Sequence, residues 1–506
     1  MWSAALVGLD PVKVIVEVDL AGGLPGITVV GLPDASVQES KERVKAAINN
    51  AGFAFPMRRV VINLAPADLR KEGPCFDLPI AVGILAAGEQ INHQLLAEFL
   101  FLGEVSLDGS LRPVAGVLPI AARAQAMGLR GIVLPQANAQ EAALASGLEV
   151  YGFEQLAEVG AFLDHPERYQ PQCCDRAHKL TPSTARLPDL QDVKGQAHAR
   201  RALEIAAAGG HNLILAGPPG SGKTMLAKRL PSILPALSFD EALEVTQVHS
   251  VSGLLKERGH LVCDRPFRSP HHSASGPSLV GGGSYPRPGE VSLAHRGVLF
   301  LDELTEFKRN VLEFLRQPLE DGEVTISRTR QSVSYPAQFT LIASTNPCPC
   351  GYFGDRIQAC SCTPRQRDLY WAKLSGPLMD RIDLQVAVNR LQPEEMTQQT
   401  VTGETSAAVK QRVEAARSLA QQRFSQIPGL ACNAQMQPEH LRHWCQLTDS
   451  TRQLLEGAIR KLGLSARGTD RILKVARTIA DLAQAEQLAI AHVAEAIQYR
   501  TLDRQI

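Results

Sequence analysis

The chain has 506 residues, more than one hydrophobic core organises, so two to four domains are expected. Hydrophobic residues make up 44%, enough for an ordinary core in each domain, and 52 basic side chains balance 52 acidic ones. Zero net charge excludes binding to nucleic acid or membrane through bulk charge and leaves such roles to local patches.

The opening "MWSAALVGLDPVKV" has no basic segment leading into an apolar stretch, so no secretion signal is expected. The longest apolar run, "LPIAVGILAA", is ten residues, against about 20 for a membrane span. The expectation is a cytoplasmic chain without a membrane partner. Its thiols would be reduced, so clustered cysteines point to metal before disulfides.

Residues 1–168 alternate strand and helix signals. "VKVIVEVDLA", "GITVVGL", "RRVVINLAP", "FLFLGEVSLDG" and "GIVLP" are rich in β-branched residues and stop at Gly, Pro or Asp. "DASVQESKERVKAAINNAG" is amphipathic, acidic early and closed by a glycine, so it reads as a helix. "LPIAARAQAMG" reads the same way. Residues 169–190 have little apolar periodicity and read as a linker, and the adjacent Cys173 and Cys174 carry no expectation. Residues 191–390 alternate again. Residues 391–506 lose strand signals and show only helical periods, as in "SAAVKQRVEAARSLAQQRF", "STRQLLEGAIRKLG" and "TDRILKVARTIADLAQ". The fold class is therefore multidomain α/β with an all-α C-terminal part.

"HNLILAGPPGSGKTMLAKRL" is an apolar strand, a glycine-rich turn and a helix. Gly217, Pro218, Pro219, Gly220, Ser221, Gly222, Lys223 and Thr224 fit G-x-x-x-x-G-K-[ST]. The glycines let backbone N–H groups wrap phosphates at a helix start. Lys223 is expected on the β- and γ-phosphates of ATP and Thr224 on Mg2+. In "GVLFLDEL" four apolar residues make a buried strand that ends in acids. Asp302 is expected to hold hydrated Mg2+, and Glu303 to orient or deprotonate the attacking water. In "FTLIASTN" a further apolar strand ends at Asn346, whose amide can hold that water against the γ-phosphate.

"GEVTISRTRQSVSYPAQF" alternates around a polar middle and reads as a β-hairpin with Arg328 and Arg330 near its tip. Arginines so placed suit nucleic-acid phosphates, and the other reading is a solvated hairpin. In "PFRSPHHSAS" the adjacent His271 and His272 would point opposite ways on a strand, which disfavours a shared metal and leaves their role open. "NPCPCGYFGDRIQACSC" holds four of the ten cysteines, Cys348, Cys350, Cys360 and Cys362. Little apolar content is present to order this loop, and four thiolates on Zn2+ would do so. The Cys-x-Cys spacing is tighter than the usual Cys-x2-Cys, and a loop of free or redox-sensitive thiols is the other reading.

The phosphate loop, acidic strand end, polar strand end and "SGPLMDRIDLQV", in that order, resemble an AAA+ ATPase. The long gap from Thr224 to Asp302 and the wording "GEVSLAHRGVLFLDEL" are similar to the magnesium-chelatase and MCM-helicase branch. With "INLAPADLRKEGPCFDLPIAVGIL" and "SARGTDRILKVARTIADL", the resemblance covers essentially the whole chain and is to the YifB/ComM family of magnesium-chelatase-like ATPases. It implies a Lon-protease-like (ribosomal S5 domain 2-like) α/β N-terminal domain, a P-loop AAA+ core with a helix-2 insert, and an all-α lid. It implies a homohexameric DNA motor acting on single-stranded and branched DNA, with branch migration in natural transformation as the activity. Arg381 matches the family's arginine finger, which acts in trans on a neighbour's nucleotide. Arg467 matches the lid arginine called sensor 2, with Arg471 one turn further on as the fallback. "VGGGSYPRPGE" matches the helix-2 insert, where Tyr285 can stack on a single strand and Arg287 can pair with it. "KEGPCFDLPIA" aligns with the Lon-type catalytic segment, with Cys75 in place of serine. The lysine expected in "RPVAGVLPIAARAQ" is missing, with Leu118 in that region, so the domain looks proteolytically inactive. Two rivals remain, a magnesium-chelatase motor subunit and a protein-remodelling ATPase.

Overall fold

The computed structural model describes residues 1–145, 147–172, 187–255, 259–283, 287–327, 332–355, 357–391 and 403–500. They gather into two compact units. The first takes Met1–Thr181, Phe239–Val262 and Ser327–Tyr335; the second takes Pro182–Ser238, Cys263–Ile326 and Pro336–Ile506.

The first unit is built on a seven-stranded mixed sheet. Its strands run, across the sheet, Gly26–Val30, Arg59–Ala65, Asp10–Ala21, Trp2–Val7, Phe99–Phe101, Gly131–Pro135 and Glu149–Phe153. Alternation dictates the faces: Val60, Ile62 and Leu64 are buried while their neighbours are not. Gly131–Pro135 is buried at every residue and lies between parallel neighbours, as a strand covered on both faces should be. The strand Trp2–Val7 turns through Gly8, at φ +69°, to pair antiparallel with Asp10–Ala21.

The expected helix at 34–52 is Ala35–Asn50, started by Asp34, whose carboxylate accepts from the Val37 N–H at 2.8 Å. The apolar run "LPIAVGILAA" lies in the helix Asp77–Ala87, which is buried nearly all round. Its first residue, Asp77, takes Nε and Nη2 of Arg43 at 2.9 and 3.1 Å. "FLFLGEVSLDG" is not one strand: Phe99–Phe101 ends before Gly103, and Glu104–Val105 belongs to a separate two-stranded piece. The helix Phe239–Val251, from the stretch after the phosphate loop, is anchored in this unit by the Ser250 hydroxyl donating to buried Glu141 at 2.5 Å.

The second unit holds a five-stranded sheet, all parallel, in the order Phe267–Arg268, Val298–Leu301, Thr340–Thr345, Leu213–Ala216, Leu384–Ala387. Three of these are apolar and fully buried at nearly every residue, so both faces are covered. Because all run the same way, their carboxyl ends share one edge, where open α/β sheets bind ligands. The C-terminal region is helical, as expected. Ser406–Phe424, Asp449–Leu462 and Ala466–Leu482 start on Thr405, Thr448 and Ser465, whose hydroxyls accept from the third residue on. Val413, Ile472, Val475, Ile479 and Val493 of these and the following helix join Leu213, Leu215, Phe300 and Val386 of the sheet in one core. Among the described residues, no helix is long and apolar enough to cross a membrane.

Candidate nucleotide site

The strand Leu213–Ala216 delivers Gly217 to the shared edge. There the Gly217 N–H donates to the Thr345 carbonyl at 3.1 Å. A side chain at Gly217 has no room, since a Cβ would lie 2.1 Å from the Val388 carbonyl oxygen. Gly220 and Gly222 turn the loop at φ +78° and +91°. The helix Lys223–Ala227 then begins with its first N–H groups facing the loop.

Three strand ends meet this loop. The Thr224 hydroxyl donates to Oδ2 of Asp302 at 2.8 Å. Oδ1 of Asp302 accepts from the Ser344 hydroxyl, two residues before Asn346. Lys223 Nζ donates to the carbonyls of Gly217 and Pro218 at 2.7 and 3.0 Å and to Oδ1 of Asn346 at 3.3 Å. Burial lowers the Lys223 ammonium from its ordinary value, and the carboxylates of Asp302 and Glu303 pull the other way. Lys223, Thr224, Asp302 and Asn346 are therefore within one hydrogen-bonded cluster, which Glu303 joins only through its backbone N–H, donated to Asp302. The pair of hard oxygens on Thr224 and Asp302 suits Mg2+, which keeps most of its water and takes one or two protein ligands.

Glu303 sits at φ +54°, in the left-handed region. The neighbour of its carboxylate is His272, with Nδ1 3.4 Å from Oε2. This overturns the expectation that His271 and His272 diverge. They lie in a turn beyond the short strand Phe267–Arg268, and their rings are 4.0 Å apart.

The three expected arginines are spread over different partners. Arg381 is 11% exposed and paired to Glu320, with Nη1 also donating to the Pro377 carbonyl at 2.7 Å. Arg467 is exposed, and its charge and the Arg381 hydrogen bond both act on Glu320, whose carboxyl is held below its usual value by Arg381 first. Arg471, the fallback, is turned inward to Asp383. Asp383 is 2% exposed and its Oδ2 lies 2.9 Å from Nδ1 of His211, whose Nε2 lies 2.8 Å from the Thr478 hydroxyl. Burial would raise Asp383, but Arg471 and His211 hold it well below the usual carboxylate range.

The four cysteines converge. All four Sγ atoms lie within 4.8 Å of one another. Cys348 is 3.3 Å from Cys350 and 3.7 Å from Cys360, and Cys350 is 3.6 Å from Cys360. A tetrahedron of thiolates at the zinc–sulfur distance has sulfurs about 3.8 Å apart. Backbone N–H groups of Phe353 and Cys350 point at Cys348 and Cys362 sulfurs at 3.3 Å each. The loop is clamped by Trp371, whose Nε1 donates to the Pro347 carbonyl at 3.1 Å, and by Arg367 over the Phe353 ring at 4.0 Å. Gly351 comes so close to the phosphate loop that a Cβ on it would be 3.0 Å from Cδ of Pro219. The cluster can hold a metal ion.

Family models match three segments: "Magnesium chelatase, subunit ChlI" over residues 189–396, "Subunit ChlI of Mg-chelatase" over 16–138, and "Magnesium chelatase, subunit ChlI C-terminal" over 403–500. The chain is 45% identical to competence protein ComM of Haemophilus influenzae, covering 100% of this chain and 97% of ComM. It is 44% identical to YifB of Escherichia coli, covering 99% and 96%. The chain belongs to the YifB/ComM family of magnesium-chelatase-like AAA+ proteins. Similarity to the magnesium-chelatase 38 kDa subunit of Cereibacter sphaeroides is 26% over 31% of this chain and 51% of that subunit. Among YifB/ComM features expected from sequence, Glu323–Ser327 and Ser332–Pro336 are strands, but Arg328 and Arg330 lie outside the described residues. Arg287 is exposed on a strand pair with Gly281–Gly282, and Tyr285 lies outside the described residues, as do Cys173 and Cys174.

Sequence reading missed Ser344 and Glu320. Ser344 carried a signal, a hydroxyl at alternating register with Asn346 on the same strand; Glu320 carried none. In the first unit, burial pushes the Cys75 thiol up to about 12, and its Sγ lies 3.7 Å from the Glu72 carbonyl. That thiol is a poor nucleophile at neutral pH.

Proposed function

We propose that the chain is an ATP-driven DNA motor that works as a homohexamer, moving single strands or branch points during recombination or natural transformation. The observation that carries the ATPase part is the cluster Lys223–Asn346 and Thr224–Asp302 on one edge of a parallel sheet. Lys223 and the loop glycines bind phosphates, Thr224 and Asp302 hold Mg2+, and Glu303 with Asn346 orients the water. Full-length similarity to a protein named for competence, against partial similarity to a chelatase subunit, supports DNA over a tetrapyrrole as the object of the work.

In this reading residues 1–168 are an inactive Lon-protease-like domain, 169–190 a linker, 191–390 the AAA+ core and 391–506 the lid. Arg381 exchanges Glu320 for a neighbour's γ-phosphate, and Arg467 senses the chain's own nucleotide. Arg328 and Arg330, with Tyr285 and Arg287, contact DNA. Cys348, Cys350, Cys360 and Cys362 hold a structural Zn2+, and the protein works in the cytoplasm.

The test is steady-state ATP hydrolysis with and without single-stranded and branched DNA, beside the Arg328→Ala/Arg330→Ala double variant. Stimulation by DNA that the double variant loses is the expected result. Hydrolysis indifferent to DNA in the wild type overturns the DNA reading and favours a chelatase-like motor.

A further inference from the structure

The histidine pair "HH" at 271–272 finds its use in the register of the sheet. Phe267 pairs with Val298 and Arg268 with Leu299, in parallel. His272 stands four residues beyond Arg268, and Glu303 stands four residues beyond Leu299. Past these strand ends the imidazole lies beside the carboxylate, with Nδ1 3.4 Å from Oε2.

Two rings border it: His271 is tilted against it with centres 4.0 Å apart, and Phe307 meets it edge-on at 6.5 Å. His271 is itself fixed, because its Nδ1 lies 2.8 Å from the Ser273 hydroxyl and accepts from the Ser273 N–H at 3.3 Å. The nearby guanidinium of Arg268 does not compete for Glu303, since both oxygens of Glu290 take it at 2.6 and 2.7 Å. Glu303 is otherwise loosely placed: its side chain is 55% exposed. A water-orienting carboxylate with that freedom needs a fixed neighbour to select one rotamer.

We propose that His272 is a positioning residue for Glu303: its Nδ1 edge, at ion-pair distance, holds one carboxylate oxygen and leaves the other free for the attacking water. The inference rests on the ATPase reading above. It assigns no bond-making to His272.

The experiment compares steady-state ATP hydrolysis of the full chain as wild type, His272→Ala, His272→Asn, Glu303→Gln and Lys223→Ala, with nucleotide affinity measured on each. The expected result is a kcat reduced roughly 10-fold in His272→Ala, with KM and nucleotide affinity unchanged. His272→Asn, whose side-chain amide places an N–H near the position of Nδ1, recovers most of the rate. Glu303→Gln falls further, by the roughly 10²–10⁴-fold expected for a general base. An unchanged or raised kcat in His272→Ala, or a loss that His272→Asn does not recover while affinity is kept, overturns the positioning role and leaves the ATPase reading standing. Hydrolysis absent from the wild type, or undiminished in Lys223→Ala, overturns both.

Discussion

Replacing Gly217 with alanine is the sharpest steric test of the nucleotide site. The added Cβ would lie 2.1 Å from the Val388 carbonyl oxygen and 3.0 Å from its carbon. Ordinary contact needs about 3.4 Å, so the loop or the strand end must retreat by roughly 1.3 Å. Neither side has a rotamer to give, because both atoms are backbone. Both are also tied: the Val388 N–H donates to the Ala216 carbonyl at 2.7 Å, and the Gly217 N–H to the Thr345 carbonyl at 3.1 Å. A shift near 1 Å at reacting groups costs about 10²-fold, or about 2.7 kcal/mol of barrier. Gly220→Ala is the control, since a Cβ there meets nothing within 4 Å and suffers only the left-handed backbone at φ +78°, a penalty of about 1 kcal/mol. The assay is kcat/KM for ATP, with a thermal melt of each variant to show that the fold persists. Gly217→Ala is expected to lose about 100-fold and Gly220→Ala no more than about 10-fold. A Gly217→Ala protein within a few-fold of wild type would refute the steric argument and, with it, the close approach of residue 388 to the phosphate loop.

Other outcomes follow from the same geometry. The purified chain is expected to carry about one zinc per protomer by elemental analysis, and Cys350→Ser/Cys362→Ser to lose it; a fully folded wild type free of metal would refute the site. Cys445 is buried and its thiol is pushed up to about 12, so at pH 8 iodoacetamide should label it only after unfolding. Labelling of Cys445 in the native protein at the rate of a free thiol would contradict that burial. Asp383→Asn removes the counter-charge of Arg471 and is expected to lower the melting temperature, at a cost of about 3 kcal/mol at neutral pH. Because the folded carboxyl lies below its unfolded value of about 3.9, its stabilisation is present above that pH and lost as pH falls through the folded value. The gap between wild type and variant should therefore close on acidification below about pH 4, and a gap independent of pH would rule out the charged pair as its source.

The sequence made the phosphate loop legible because its chemistry is local: spacing, strand and helix are all carried by residues 211–230. The acidic and polar strand ends were legible for the same reason, as short apolar strands that run out at Asp302 and Asn346. What escaped was set by pairing across distance. Trp2–Val7 is rich in alanine and reads weakly as a strand until Asp10–Ala21 covers it. His272 meets Glu303 past the ends of two paired strands about thirty residues apart in the chain. Arg471 looked like a lid cation free to reach phosphate, yet it turns toward Asp383 in the core. The cysteine loop was partly legible, since composition placed four thiols together, but the proximity of Gly351 to Pro219 had no trace in the spacing.

The shared core of sheet and C-terminal helices has a consequence for how the protein is made. Leu213 leaves the ribosome about 280 residues before Val493, its partner in the same core. At roughly 5–20 residues per second, that is a delay of roughly 14–56 s. Through that interval the apolar surface around the phosphate-loop strand has no C-terminal helices to cover it. The nascent chain thus carries a recognisable phosphate loop on a sheet still open to chaperones and to other nascent chains. A message truncated near codon 390 would yield a protein that keeps every strand of the sheet and never seals it.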